Sequence, residues 1–200
     1  RAMALASIAP GAFNFFVTNF ATAALFKNIV GFAQGRSMPK LSRIPLQRWH
    51  QAHANRNGPF PNGRVFLFCD EFTNFNDADV GIKAIRLLNR LGYEVIIPRH
   101  VDSGRAQISK GLLREAQKLA IRNVELLKDV ITAEAPLVGI EPSAILGFRD
   151  EVPDLVPERL VQPAVALAKN ALLIDEFIAR EADGGRIRRE AFTQETRHIK

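Results

Sequence analysis

The stretch Arg64–His100, RVFLFCDEFTNFNDADVGIKAIRLLNRLGYEVIIPRH, constrains the fold more than any other because it reads as strand, helix, strand. Val65 to Cys69 is a short continuous apolar run behind the turn signal Pro61-Asn62-Gly63, which suits a strand buried on both faces. It ends on the only cysteine in the chain. Asn76, Asp77 and Asp79 then offer N-cap side chains, and Val80, Ala84, Leu87, Leu88 and Leu91 share one helical face. Gly92 stands where a C-cap glycine belongs, and Glu94 to Pro98 returns as a second strand. A helix between two strands is a crossover connection, and crossovers join parallel strands with right-handed topology.

Downstream the same grammar continues. Leu112, Ala116, Leu119, Ala120, Asn123, Val124, Leu127 and Ile131 fall on one face of a long helix, and Pro136 to Ile140 reads as a third buried strand. Pro142 is placed as the first residue of a short helix through about Phe148. A last helix, residues 157–182, carries Leu160, Val161, Ala164, Ala168, Leu172 and Phe177 on its core face and ends at Gly184-Gly185. The fold class expected is α/β, three-layer, with a short parallel sheet and flanking helices forming half of a doubly wound domain behind N-terminal helices. The expected division is a helical lead-in and connector over 1–63 and the α/β region over 64–200.

Residues 2–26 carry no charge and are numerous enough to cross a bilayer. Pro10, Gly11, Asn14, Thr18, Asn19 and Thr22 interrupt them, so two helices, about 2–9 and 12–33, packing on a neighbouring domain fit better than a span. A secretory leader does not fit either. Residues 34–63, with four prolines, read as surface loop with one short helix. His50 and His53 could share a face of that helix, yet a metal site needs three or four ligands and no partner stands nearby, so they read as solvent-facing.

The 27 basic residues against 21 acidic ones are spread rather than gathered around aromatics, which argues against nucleic acid as a partner. One cysteine excludes an internal disulfide and any self-contained cysteine-ligated zinc or iron–sulfur site, and it points to a reducing, cytoplasmic compartment. A chain that opens on Arg1 and closes on Ile199-Lys200 reads as a piece of a longer polypeptide.

Ligands of such sheets bind beyond the carboxyl ends of the strands, which selects the loops Cys69–Phe72, His100–Arg105 and Glu141–Ala144. The first has no glycine, so it is neither a dinucleotide fingerprint nor a phosphate cradle. Asp70 and Glu71 as a phosphoacceptor site would need a lysine past a later strand, where Glu141 stands instead. Loop solvation and helix capping account for both. The candidate face comprises Cys69, Asp102, Ser103, Gly104, Arg105, Glu141 and Ser143. A hydrolytic use of Cys69 or Ser103 would depend on His100 as base, with only Asp102 to orient it.

In order, FCDEF, LGYEV, DSGRAQISKGLLREAQKLAIRN and GIEPSAILGFRDEVPDL resemble the cysteine-rich CCG domain of heterodisulfide-reductase-like proteins. The likeness covers about residues 36–200. It is strongest to the form fused behind FAD-binding and ferredoxin-like domains in FAD-linked D-lactate and glycolate dehydrogenases. In that family the first strand ends in a cysteine, the second loop carries Cys-Cys-Gly, and further cysteines follow the third strand to ligate an iron–sulfur cluster. Here only Cys69 remains, with Asp102 and Ser103 ahead of Gly104, and Glu141 and Ala144 past the third strand. Carboxylates, serine and alanine are poor substitutes for four thiolates, so no metal is expected in this half.

The resemblance implies FAD and an iron–sulfur cluster in the longer protein, with none held here. It implies as partners the upstream FAD-binding and ferredoxin-like domains and a second CCG half beyond Lys200. It also allows peripheral association of the longer protein with the inner membrane. Two readings stay open: a degenerate cysteine-rich scaffold that supports the electron path of a 2-hydroxy acid dehydrogenase, or a flavodoxin-like module holding a small anion near Arg105 and the helix start at Pro142.

Overall fold

The computed structural model describes residues 2–53, 58–193 and 195. The chain divides into two compact units, Arg1–Ala54 with Cys69–Ala84, and Asn55–Phe68 with Ile85–Lys200.

The first unit begins with α1 (Ala2–Ala6), α2 (Pro10–Thr18) and α3 (Phe20–Val30), three helices where two were expected. Pro10 does not break a helix but opens α2, in the turn where a missing N–H costs nothing. The second break falls at Asn19, whose backbone is extended (φ −66°, ψ 132°) and whose Oδ1 accepts from the N–H groups of Ala21 and Thr22 at 3.1 and 3.4 Å. Asn14, which a bilayer would leave unsatisfied, is clamped to Leu41: its amide donates to the Leu41 carbonyl and its oxygen accepts from the Leu41 N–H, both at 2.8 Å. No helix among the described residues is long and apolar enough to cross a membrane.

The short connector helix is α4 (Leu46–His53). His53 is exposed, stacks on Trp49 at 5.0 Å and turns Nδ1 to the Trp49 carbonyl at 2.9 Å, while His50 is half-buried. After β1 (Arg64–Phe68) come α5 (Glu71–Phe75) and α6 (Ala78–Arg90), whose first half belongs to this unit. Gly81 lets α6 approach α4: a Cβ there would stand 2.2 Å from Leu46 Cδ2.

The second unit is built on a four-stranded parallel sheet of order β2-β1-β3-β4, with β2 (Glu94–Ile96), β3 (Leu137–Gly139) and β4 (Ala171–Leu173). Val65 stands opposite Val95, Leu67 opposite Val138, and Val138 opposite Leu172, so the register keeps β-branched and leucine side chains abreast. Phe66, Phe68, Leu137 and Ala171 join one core with α8 (Leu113–Leu127), α9 (Pro142–Asp150), α10 (Val152–Leu155) and α11 (Glu158–Lys169). Phe68 meets Phe148 edge-on at 5.0 Å within it. Beside β3 and β4 also lies α12 (Ile174–Asp183), whose Phe177 packs edge-on against Tyr93 at 5.0 Å.

The α/β class, the parallel sheet and its flanking helices agree with expectation, as does Gly92 closing α6 with φ +87°. Four details do not. The helix expected over 157–182 is two helices around a fourth strand, because α11 stops at Asn170 and the next three residues pair with β3. The helix expected from Leu112 is preceded by α7 (Arg105–Ser109), and Leu112 is exposed after a break at Gly111, φ +70°. On α6, Val80 and Leu87 are exposed and Ile85 is buried, so the core stripe is rotated from the one expected. The strands are also shorter than expected, with the first stopping at Phe68, the second at Ile96 and the third at Gly139.

Candidate functional site

Cys69 and Asp70 leave β1 and enter the first unit. Cys69 is 3% exposed, and burial, reinforced by the Asp70 carboxylate, pushes its thiol far above the ordinary range against a weaker pull from the Gln47 backbone. It is a neutral, packed thiol, unsuited to nucleophilic attack or to ligation as thiolate. Asp70 is the N-cap of α5: Oδ1 accepts from the N–H groups of Phe72 and Thr73, each at 2.9 Å, and Oδ2 accepts from the Thr73 hydroxyl. Burial nonetheless moves its pKa upward, with those three bonds opposing. A phosphate arriving at this turn would find its donors taken by a carboxylate.

In the second unit the remaining candidates gather at two loops. Asp102 is exposed and contributes its carbonyl, which accepts from Asn123 Nδ2 at 3.1 Å, while Asn123 Oδ1 accepts from the Val101 N–H at 2.9 Å. Asn123, 1% exposed on α8, thereby fixes the loop after β2. Gly104 takes φ +83°, where a side chain would be strained, and α7 starts behind it. Ser103 Oγ accepts from the Arg105 N–H at 3.2 Å, and Arg105 donates through Nη1 to Glu151 Oε1 at 3.2 Å. After β3, Glu141 caps α9 by accepting from the Ala144 N–H at 2.7 Å, and the Ser143 hydroxyl lies 2.7 Å from the same oxygen, Oε2, and 2.9 Å from Oε1.

Ser103, Arg105 and Ser143 line one pocket with Gly147 and Glu151. Its volume is about 10 Å³, room for one water molecule. The anion handles expected at Arg105 and at the start of α9 are therefore both answered from within the chain, one by Glu151 and the other by Glu141. His100 turns Nδ1 to the Val101 carbonyl at 2.9 Å and lays its ring against Phe68 at 4.6 Å.

Two clusters escaped sequence reasoning. Glu181, 2% exposed, accepts from Tyr93 Oη at 2.5 Å, from Arg186 through Nε and through Nη2 (2.8 Å), and from Arg180 Nε at 3.1 Å. Those bonds, Arg186's foremost, hold its carboxyl down to about 2 despite burial, while burial and the Glu181 contact push the Tyr93 phenol up. The signal was one glutamate a helical turn from Phe177 on the apolar side of α12, facing the chain's single tyrosine. Arg149 on α9 forms a fork with Glu176 of α12 and donates through Nε to the Ala171 carbonyl at 2.7 Å. Its bonds draw the Glu176 carboxyl below the usual range.

No protein-family model and no solved structure matches the chain. Among curated proteins it is similar to the D-2-hydroxyglutarate dehydrogenase of Pantoea ananatis, 29% identical over 160 residues, which are 75% of this chain and 15% of that protein. The protein of the same name from Escherichia coli K12 is 28% identical over 153 residues, 72% of this chain and 15% of the relative. The Haemophilus influenzae counterpart is 31% identical over 98 residues, 49% of this chain and 10% of the relative. The chain is thus distantly similar to one part of these D-2-hydroxyglutarate dehydrogenases. It spans about 15% of the length of the relatives it matches over most of its own length.

The residues present do not fit an iron–sulfur cluster. The chain has one cysteine, its thiol is buried and held protonated, and Glu141 is engaged in capping α9. Among the described residues no three of His, Cys, Asp and Glu converge as a metal would require.

Proposed function

We propose that this chain is a degenerate cysteine-rich module of an FAD-linked 2-hydroxy acid dehydrogenase, acting as scaffold beside the parts that carry the redox chemistry. The observation that carries the reading is the pairing of a 160-residue likeness to D-2-hydroxyglutarate dehydrogenase with strand-end loops whose polar groups are spent on one another. Such loops hold shape. Asp70 and Glu141 each stop a helix N-terminus from attracting an anion, Asn123 sets the loop of Asp102 and Ser103, and Arg105 is paired with Glu151. FAD and iron–sulfur chemistry, in this reading, belong to domains of the longer protein outside these residues.

Two measurements test it. Chain purified without oxygen is expected to be colourless and free of iron and acid-labile sulfide; near-stoichiometric iron with visible absorption would sink the scaffold reading. Calorimetric titration with D-2-hydroxyglutarate, D-lactate and glycolate is expected to give no heat of binding, and a saturable heat would favour a self-sufficient anion site.

A further inference from the structure

The first unit contains a groove that shares no residue with the candidate face. Its volume is about 380 Å³, and every residue on its lining belongs to that unit. Cavities that take small molecules start at about 300 Å³, so there is room for one ring and its substituents. The frame is fixed before anything binds. Ser42 donates its N–H to the Phe75 carbonyl at 2.7 Å and its hydroxyl to the Asn76 carbonyl at 2.9 Å. The same hydroxyl accepts from the Ala78 N–H at 3.1 Å, and Asn76 Nδ2 donates to the Lys40 carbonyl at 2.8 Å. Those bonds pin residues 40–42 to the junction of α5 and α6, so little ordering is left for a ligand to impose.

The lining divides into an apolar part and a charged part. Ile44, Trp49 and Ile82 supply the first. His53 stacks on one face of the Trp49 indole at 5.0 Å and is not on the lining, so the groove meets the rest of that ring. An indole beside two isoleucines suits a flat apolar body, which packs on it offset or edge-on. Lys40 and Arg43 are exposed on the same lining, and neither pairs with a carboxylate among the described residues. Asp79 is the one acid there, which leaves two positive charges against one negative. That balance matches a single negative charge on the occupant, and a guanidinium offers a carboxylate two parallel donors.

We propose that this groove binds a small aromatic monocarboxylate, its ring against Trp49, Ile44 and Ile82 and its carboxylate held by Arg43 and Lys40. The inference is independent of the dehydrogenase reading. Trp49 is the only tryptophan in the chain, so its fluorescence reports on the groove without a label. Benzoate titrated into the whole chain should change that emission saturably. Benzamide, which keeps the ring and lacks the charge, should bind about tenfold more weakly. Glycolate, which keeps the charge and lacks the ring, should leave the emission unchanged. Arg43→Ala should weaken benzoate about tenfold, whereas Asp79→Asn should strengthen it about threefold by removing a like charge. Circular dichroism on both variants reports whether the helices persist. Four outcomes overturn the proposal: no saturable change with benzoate, benzamide binding as well as benzoate, glycolate reproducing the benzoate response, or a folded Arg43→Ala variant that binds benzoate as the parent does.

Discussion

The two units contain helices of comparable apolar content and use it in opposite ways. In the second unit, α8, α9 and α11 place Val124, Ile145, Phe148 and Leu160 against a sheet that presents Phe66, Phe68 and Leu137, and all seven are buried. In the first, α2 and α3 are apolar nearly all round, and each buries one residue. The difference teaches that composition sets how much a segment could bury, while periodicity and a neighbouring sheet decide whether it does so within its own chain. An amphipathic stripe commits a helix to one partner already present. A helix apolar on every side has no stripe that selects one.

Mutations can break this contrast or sharpen it. The largest effect is expected at the second unit's core, where Phe148→Ala should cost about 3–5 kcal/mol by removing a buried ring that Phe68 packs against. Urea denaturation reads it, and a loss under about 1 kcal/mol would mean the sheet core is far looser than its burial implies.

Next comes Glu181→Ala, which should cost about 2–3 kcal/mol because it orphans the Tyr93 hydroxyl in a buried site. The same carboxylate gives the fold a pH dependence whose sign is fixed. Its folded pKa of about 2 lies below the unfolded value of about 4.3, so its contribution is complete above that unfolded value and is lost as pH falls toward 2. Stability scans from pH 6 down to about 2 should show a shallower decline in Glu181→Gln than in the parent; parallel curves would remove Glu181 from the acid response.

Two glycines make the sharpest paired test. Gly139→Ala should cost about 1–3 kcal/mol, since its new Cβ would stand 2.3 Å from Ile145 Cβ, an atom tied to the α9 backbone. Gly81→Ala meets the movable end of Leu46 instead and should cost less, so an inverted order of melting temperatures would contradict the packing described for both. The smallest effect in this series is expected from Asp70→Ala, about 1 kcal/mol for a lost helix cap on a short helix.

Much of this was legible in the chain. The apolar run ending at Cys69, the glycine at 92 and the proline at 142 each do what local chemistry dictates, so β1, the end of α6 and the start of α9 could be placed from sequence. β4 could not. Leu160, Ala164, Ala168 and Leu172 keep helical spacing straight through Asn170, and a three-residue strand has no period of its own; it exists because β3 offers it a ladder. Asn19 was legible in principle, being an asparagine three residues ahead of Thr22, but a run of apolar letters on both sides hid the cap. At the candidate site the loops were readable from the rule that ligands meet strand ends, as was helix capping by Asp70, whereas the occupations of Arg105 and Glu141 were not. Asp70 and Glu141 are engaged with their own helix starts, and Arg105 with Glu151, 46 residues distant. Tyr93 and Glu181, 88 positions apart, are likewise joined only once the sheet has formed.

The Arg149 fork bears on how the sheet can grow. Asn170's carbonyl accepts from Leu137 of β3, so the next carbonyl along, that of Ala171, points away from β3 toward the open flank of β4. Arg149 already donates to it and is itself gripped by Glu176. An incoming strand, from another chain or another copy, would have to evict a guanidinium before forming its first bond there. The sheet thus has its β4 flank shielded by a charged latch.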